Sequence, residues 1–131
     1  MISTKGRYAL RVMIDIAANQ GEGYVPMKDV AERQSLSLKY LERIIPALTK
    51  KDMIKGIQGK GGGYRLTRQP EEYPVGEILR IMEKDLAPVS CLAEGAPECV
   101  NKRKCRTIAF WEGLDKVVND YIYSKTLKDL L

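Results

Sequence analysis

The sequence predicts a mainly α fold with one small β hairpin and a long C-terminal helix. Three observations carry this prediction. Apolar residues recur at helical spacing through the first part of the chain. A glycine run from Gly59 to Gly63, interrupted only by Lys60, lies between two strand-like segments, and a second helical pattern returns after residue 105, beyond a stretch without any period.

Residues 4–19 place Tyr8, Leu10, Val12, Met13, Ile16 and Ala17 near helical spacing, and Gly21 and Gly23 end the pattern. Met27 to Gln34 makes a short second helix with Val30 and Ala31 inward, and Pro26 stands where a helix start tolerates proline. Ser35 and Leu36 form the turn. The third helix begins at Ser37, whose hydroxyl is suited to cap the free amides, with Leu36 and Leu41 spaced for a hydrophobic staple. Its expected buried face is Leu38, Leu41, Ile45 and Leu48. Pro46 lies within that pattern and costs about 3 kcal/mol in an unkinked helix, so a bend is expected there, or a straight portion ending near it.

After Met53 the period changes. Ile54 and Ile57, the glycine run and Tyr64-Arg65-Leu66-Thr67 read as a hairpin with a glycine tip. Three helices followed by such a hairpin make a winged helix-turn-helix. Val75 to Lys84 adds a short helix with Val75, Ile78, Leu79 and Met82 on one side, and residues 86–104 have no period. From about Arg106 to Ser124 a stripe of Ile108, Trp111, Leu114, Val118, Tyr121 and Ile122 runs about 28 Å along a helix. Such a stripe needs cover, either from its own chain or from the same helix of a second copy, and the two-fold pairing is expected. The division that follows is a winged helix-turn-helix domain over 1–85, a cysteine loop serving as sensor over 86–105, and a dimerisation helix with a C-terminal tail over 106–131.

Composition bounds the function. A chain of 131 residues that is 44% hydrophobic builds one core, and 22 basic against 17 acidic residues leave it at +5, which favours a polyanionic partner. No apolar run approaches the roughly 20 residues that cross a bilayer, and Met1 to Lys5 does not read as a signal peptide, so a cytoplasmic protein without a membrane partner is expected. Histidine is absent. That removes the commonest general base, no substrate motif or nucleotide fingerprint replaces it, and the chain is not expected to be an enzyme.

A recognition helix offers side chains near its N-terminal end to base edges in the major groove of duplex DNA. Arg43 suits a bidentate grip on guanine, Glu42 accepts from cytosine, Lys39 reaches guanine or phosphate, and Tyr40 combines a phosphate hydrogen bond with packing. Ser37 at the helix start, Lys50 at its end and Gln58 and Lys60 on the hairpin complete the candidate DNA-binding set. The glycine run is not a phosphate-cofactor loop, since no Gly-Lys-Ser/Thr follows and a strand, not a helix, comes next.

Cys91, Cys99 and Cys105 fall in one loop rich in turn formers, flanked by Lys102, Arg103, Lys104 and Arg106. The cations favour ionised sulfur and offset the charge of a thiolate-bound cluster. Four readings stand on these residues: an iron–sulfur cluster, a thiol redox switch, zinc (which prefers four ligands) and inert cysteines.

Ser3-Thr4-Lys5-Gly6-Arg7-Tyr8-Ala9, Leu36-Ser37-Leu38-Lys39-Tyr40-Leu41-Glu42, Gly61-Gly62-Gly63-Tyr64 and the cysteine loop followed by Ala109-Phe110-Trp111 resemble the Rrf2 family, nearest to its IscR-like iron–sulfur regulators. The resemblance spans nearly the whole chain. It implies a winged-helix homodimer joined through the long helix, whose binding to a DNA operator responds to a 2Fe-2S or related cluster. By motif position it makes Cys91, Cys99 and Cys105 cluster ligands and Tyr40 and Glu42 recognition contacts. Three positions and one spacing depart from the pattern. Gln58 stands where relatives often carry arginine, and Ile108 stands where IscR-like members place a ligating histidine. Arg7 stands where other members place an acid, and the first cysteine gap is longer than usual. The fourth ligand is therefore unassigned, with Glu94, Glu98, a small thiol or water as alternatives. A cluster-free regulator controlled by thiol oxidation or by a protein partner, for example in cysteine metabolism, is the second reading.

Overall fold

The Ser3 hydroxyl accepts a hydrogen bond from the Gly6 amide and so caps α1, Thr4–Asn19. The coordinates are a computed structural model that describes residues 2–131. Met1, the first residue of the stretch read as lacking a signal peptide, lies outside them. α2, Met27–Gln34, follows Pro26 and ends at Ser35, which adopts the left-handed conformation at φ 55°. α3, Leu38–Lys50, is capped by Ser37, whose hydroxyl accepts from the Tyr40 amide at 3.0 Å. The three helix starts and the turn between α2 and α3 stand where caps and breakers place them.

The strands β1, Ile54–Ile57, and β2, Gly63–Leu66, pair antiparallel with Ile54 opposite Leu66 and Ile57 opposite Gly63. Val25 extends this sheet by one bridge, its amide donating to the Tyr64 carbonyl at 2.8 Å and its carbonyl accepting from the Tyr64 amide at 2.9 Å. Gly63 is required at this junction. Its φ is +146°, and a Cβ there would lie 2.3 Å from the Val25 carbonyl oxygen. α4, Val75–Met82, and α5, Ile108–Ser124, complete the helices, and the segment between them holds only the short 3-10 turns Ser90–Leu92 and Lys102–Lys104.

The core lies between α1, α3 and α4. Val12, Met13 and Ile16 meet Leu41, Ile44, Leu48 and Ile78, all fully or almost fully buried. Tyr73 is buried with them and its hydroxyl is satisfied, donating to the Met53 carbonyl at 2.7 Å and accepting from the Thr67 and Arg68 amides at 3.0 Å each. The chain end returns to this core: Leu127 is fully buried and its amide donates to the Tyr73 carbonyl at 2.9 Å. A smaller cluster of Val75, Leu79 and Leu86 takes up Ile122 of α5.

Several sequence expectations change in detail. α3 is not shortened at Pro46. That position is exposed, so the Glu42 carbonyl deprived of its helical donor is open to water, which reduces the cost of the lost bond. Leu38, expected on the buried face, is 51% exposed, and Ile44 takes its place in the core at 0%. The first helical residue projects beyond the body of the domain. α4 ends two residues earlier than Lys84, and α5 starts at Ile108, not Arg106. No helix among the described residues is long and apolar enough to cross a membrane.

Candidate DNA-facing surface and cysteine pocket

The outer edge of α3 is uncovered. Lys39, Glu42 and Arg43 are exposed, and none takes part in an ion pair among the described residues. Ser37 is exposed but spends its hydroxyl on the helix cap, and Lys50 is exposed in the last turn. Gln58 and Lys60 are exposed on the hairpin connection. A shallow hollow of about 260 Å³ joins Leu38 and Glu42 of α3 to Tyr64 of β2, so the helix edge and the wing strand border one surface. Leu38 is a residue the apolar periodicity misassigned. At the first helical position beside exposed polar groups, it leaves an aliphatic side chain open to solvent.

Tyr40 differs from its neighbours. It is half-buried, and its ring meets the edge of Tyr8 with centroids 5.2 Å apart. The Arg11 guanidinium lies 5.1 Å over the Tyr8 ring and bonds the side chain of Gln34 at 3.1 Å and its carbonyl. Gln34 in turn donates to the buried carboxylate of Asp15 at 2.9 Å, which Arg33 also holds. α1 therefore carries a rack of polar and aromatic contacts that fixes α2 and the start of α3 against it.

The three cysteines come together on one pocket of about 340 Å³, which Glu98, Lys102, Ile108 and Glu112 also line. Cys91 and Cys99 are exposed and Cys105 is half-buried. The Thr107 hydroxyl, 3.4 Å from the Cys105 sulfur, holds that thiol below its ordinary range, aided by the amides of Thr107 and Ile108 at the start of α5. Among the described residues no three donors are drawn tightly enough to form a finished metal site. The donor set nonetheless fits an iron–sulfur cluster in kind: three soft thiols open on one hollow, with two carboxylates and the Lys102 ammonium beside them. Glu94 does not line this pocket.

The base of the cysteine-bearing segment is tied to α1. Glu83, immediately after α4, accepts from the Ser3 amide at 2.6 Å and the Ser3 hydroxyl at 2.8 Å. A Cβ on Gly6 would lie 2.3 Å from the same carboxylate oxygen, so a side chain there would push the Glu83 carboxylate aside.

α5 presents two apolar faces. Ile108, Trp111, Leu114, Val118 and Ile122 are half-buried, whereas Phe110, Val117 and Tyr121 are 66%, 65% and 63% exposed. Tyr121, on the stripe read from the sequence, is thus among the residues the single chain leaves uncovered. Contacts with α4 are made near the helix's C-terminal end, where Ile122 packs on Leu79, the Arg80 guanidinium reaches Asn119 and lies 5.8 Å over the Tyr123 ring, and Tyr123 covers Gly76.

Residues 2–131 match the family model Rrf2, described as an iron-dependent transcriptional regulator. The HTH-type transcriptional regulator IscR of Klebsiella pneumoniae (strain 342) is 34% identical over 130 residues, covering 99% of this chain and 78% of the relative. The solved structure of T. potens IscR superposes with a TM-score of 0.77 at 35% identity, covering 99% of this chain and 85% of that one. CymR, the global cysteine regulator of B. subtilis, superposes with a TM-score of 0.74 at 34% identity, covering 99% and 95%.

Proposed function

The chain belongs to the Rrf2 family of transcriptional regulators, and on that premise we propose that it binds a double-stranded DNA operator as a homodimer and senses through a cluster held by its three cysteines. The observation that carries the DNA reading is the uncovered edge of α3, where Lys39, Glu42 and Arg43 project beside the strand that leads from the wing. Arg43 and Glu42 read base edges, Leu38 meets a thymine methyl, and Lys39, Lys50, Gln58 and Lys60 contact the backbone or the groove walls. Tyr40, braced by Tyr8, sets the angle at which the helix enters. The exposed Phe110, Val117 and Tyr121 face of α5 pairs with its copy across a two-fold axis. The division into a DNA-binding part over 1–85, a sensor over 86–105 and a dimerisation helix with tail over 106–131 belongs to this reading. Such a regulator works where the chromosome is, in the cytoplasm, and no step of this reading asks it to be an enzyme.

Cys91, Cys99 and Cys105 hold the cluster, of the 2Fe-2S kind by family resemblance. When bound, the cluster supplies an iron- and redox-sensitive crosslink across the loop. The chain's own part is to bring three thiolates to one pocket, to balance their charge with Lys102, Arg103, Lys104 and Arg106, and to fasten the loop's base to α1 through Glu83. The test is purification without oxygen, with iron and sulfide analysis and measurement of operator affinity before and after cluster removal. A coloured protein whose visible absorption is lost in Cys91→Ala, Cys99→Ala or Cys105→Ala is expected. A colourless, iron-free protein overturns the reading.

A second reading keeps the DNA-binding dimer and replaces the cluster by thiol oxidation or a protein partner. It is favoured by Cys105, whose hydrogen-bonded thiol ionises more readily than usual, and by the similarity to a cysteine regulator. It predicts that peroxide changes the operator affinity of iron-free protein. Affinity unmoved by peroxide removes its oxidation form.

A further inference from the structure

We propose that Glu112 supplies the fourth ligand of the cysteine pocket, through one carboxylate oxygen, an inference that rests on the cluster reading above. Three thiolates leave a two-iron cluster one ligand short, since such clusters take four protein donors. Ile108, at the position where the family resemblance places a histidine, carries no donor atom. The side chains that face the pocket offer two hard anionic donors, Glu98 and Glu112.

These two are not equivalent. Glu98 lies on the irregular loop, 3.8 Å from the Lys102 ammonium, which already offsets its charge. Glu112 takes part in no ion pair among the described residues. It also sits on a regular helix, which places a ligand more firmly than an irregular loop does. Ile108 and Glu112 are four residues apart on α5 and share one face. Side chains on a helix lean toward its N-terminus, so the Glu112 carboxylate covers the turn that starts at Ile108, which is the wall of the pocket next to Cys105. Oxygen from a carboxylate is an accepted donor to iron and adds a fourth negative charge to the set. Lys102 on the pocket wall, with Arg103, Lys104 and Arg106 close to it in sequence, is available to balance it.

The test uses the full chain reconstituted anaerobically with ferrous iron and sulfide, as wild type, Glu112→Gln, Glu98→Gln and Glu112→Cys. Visible absorption and circular dichroism, electron paramagnetic resonance of the reduced form, iron per chain and the lifetime of the colour under a chelator are measured. Thermal melting of the iron-free proteins controls for folding, and these melts are expected to coincide because Glu112 is exposed. Wild type and Glu98→Gln should share spectrum and lifetime. Glu112→Gln should lose its colour at least about tenfold faster, as ligand loss costs no less than loss of an outer partner. Glu112→Cys should retain iron with its absorption moved toward an all-thiolate spectrum. A Glu112→Gln protein with wild-type spectrum and lifetime overturns the assignment while leaving the cluster reading intact. An iron-free wild type overturns the cluster reading, and the assignment falls with it.

Discussion

Arg33 grips Asp15 with two nitrogens, Nη2 lying 2.7 Å from one carboxylate oxygen and Nε 3.0 Å from the other. The Asp15 side chain is 1% exposed and Arg33 39%, so one end of the pair is buried and the other reaches water. The hydrogen bond to Asp15 raises the Arg33 guanidinium above its ordinary range. Removing the cation leaves a buried carboxylate with Gln34 as its remaining side-chain partner. Arg33→Ala is expected to cost about 2 to 3 kcal/mol in urea unfolding, at the low end for a buried pair because the guanidinium is part-solvated. A loss below about 0.5 kcal/mol would mean that the pair holds α1 to α2 no better than a surface contact.

The proposed DNA contacts divide into base readers and backbone contacts, and the two kinds respond differently to substitution. Arg43→Ala is expected to weaken operator binding by about 1 to 3 kcal/mol and to relax preference at one base pair. Lys60→Ala is expected to weaken binding evenly on all sequences and to lower the salt slope by about one. Wild-type affinity should fall by roughly three to five decades between 50 and 200 mM salt if six to ten phosphates are engaged. Anisotropy titrations on a panel of operators at several salt concentrations measure all three.

Gly63→Ala places a side chain at φ +146° against the Val25 carbonyl. The bridge from Val25 to Tyr64 must open, and a stability loss of more than about 1 kcal/mol is expected. DNA affinity should fall with it, because this bridge holds the wing to the body. Gly59→Ala, at φ +89° but with open space around it, should cost less and leave the bridge in place.

Phe110→Glu and Tyr121→Glu put charges on the exposed face of α5. Both residues are more than 60% exposed, so the fold of the single chain should survive. Sedimentation should then report a monomer with weakened binding to a two-half-site operator. Variants that sediment as the wild type does would place the dimer contact elsewhere.

Much of this molecule was legible in its residues, and the exceptions share a cause. Ser37, Pro26 and the glycines mark boundaries through local chemistry, so α1, α2 and the start of α3 were found almost to the residue. Of the two outcomes expected at Pro46, a shortened helix is not found, and the cost depends on whether the carbonyl it orphans faces water, which a sequence does not state. Leu38 misled because the helical period assigns a face but not where the core ends along the axis. The composition of the loop points to a shared pocket for Cys91, Cys99 and Cys105, whereas no sequence signal marks Glu112, which lies in the next helix and faces the pocket only once that helix is placed. Glu83 carried no signal either. Its role arises from a contact across eighty residues of chain.

The anchoring of α5 is one-sided. Its far end is welded to the body through Ile122, Tyr123 and the buried Leu127, whereas its near end grows out of the cysteine-bearing segment and rests beside the thiols. A rod fixed at one end behaves as a lever. In the proposed dimer, drawing the sulfurs together around iron would move the free tip and swing the outer apolar face with it, changing the angle at which two copies meet and the span between their recognition helices.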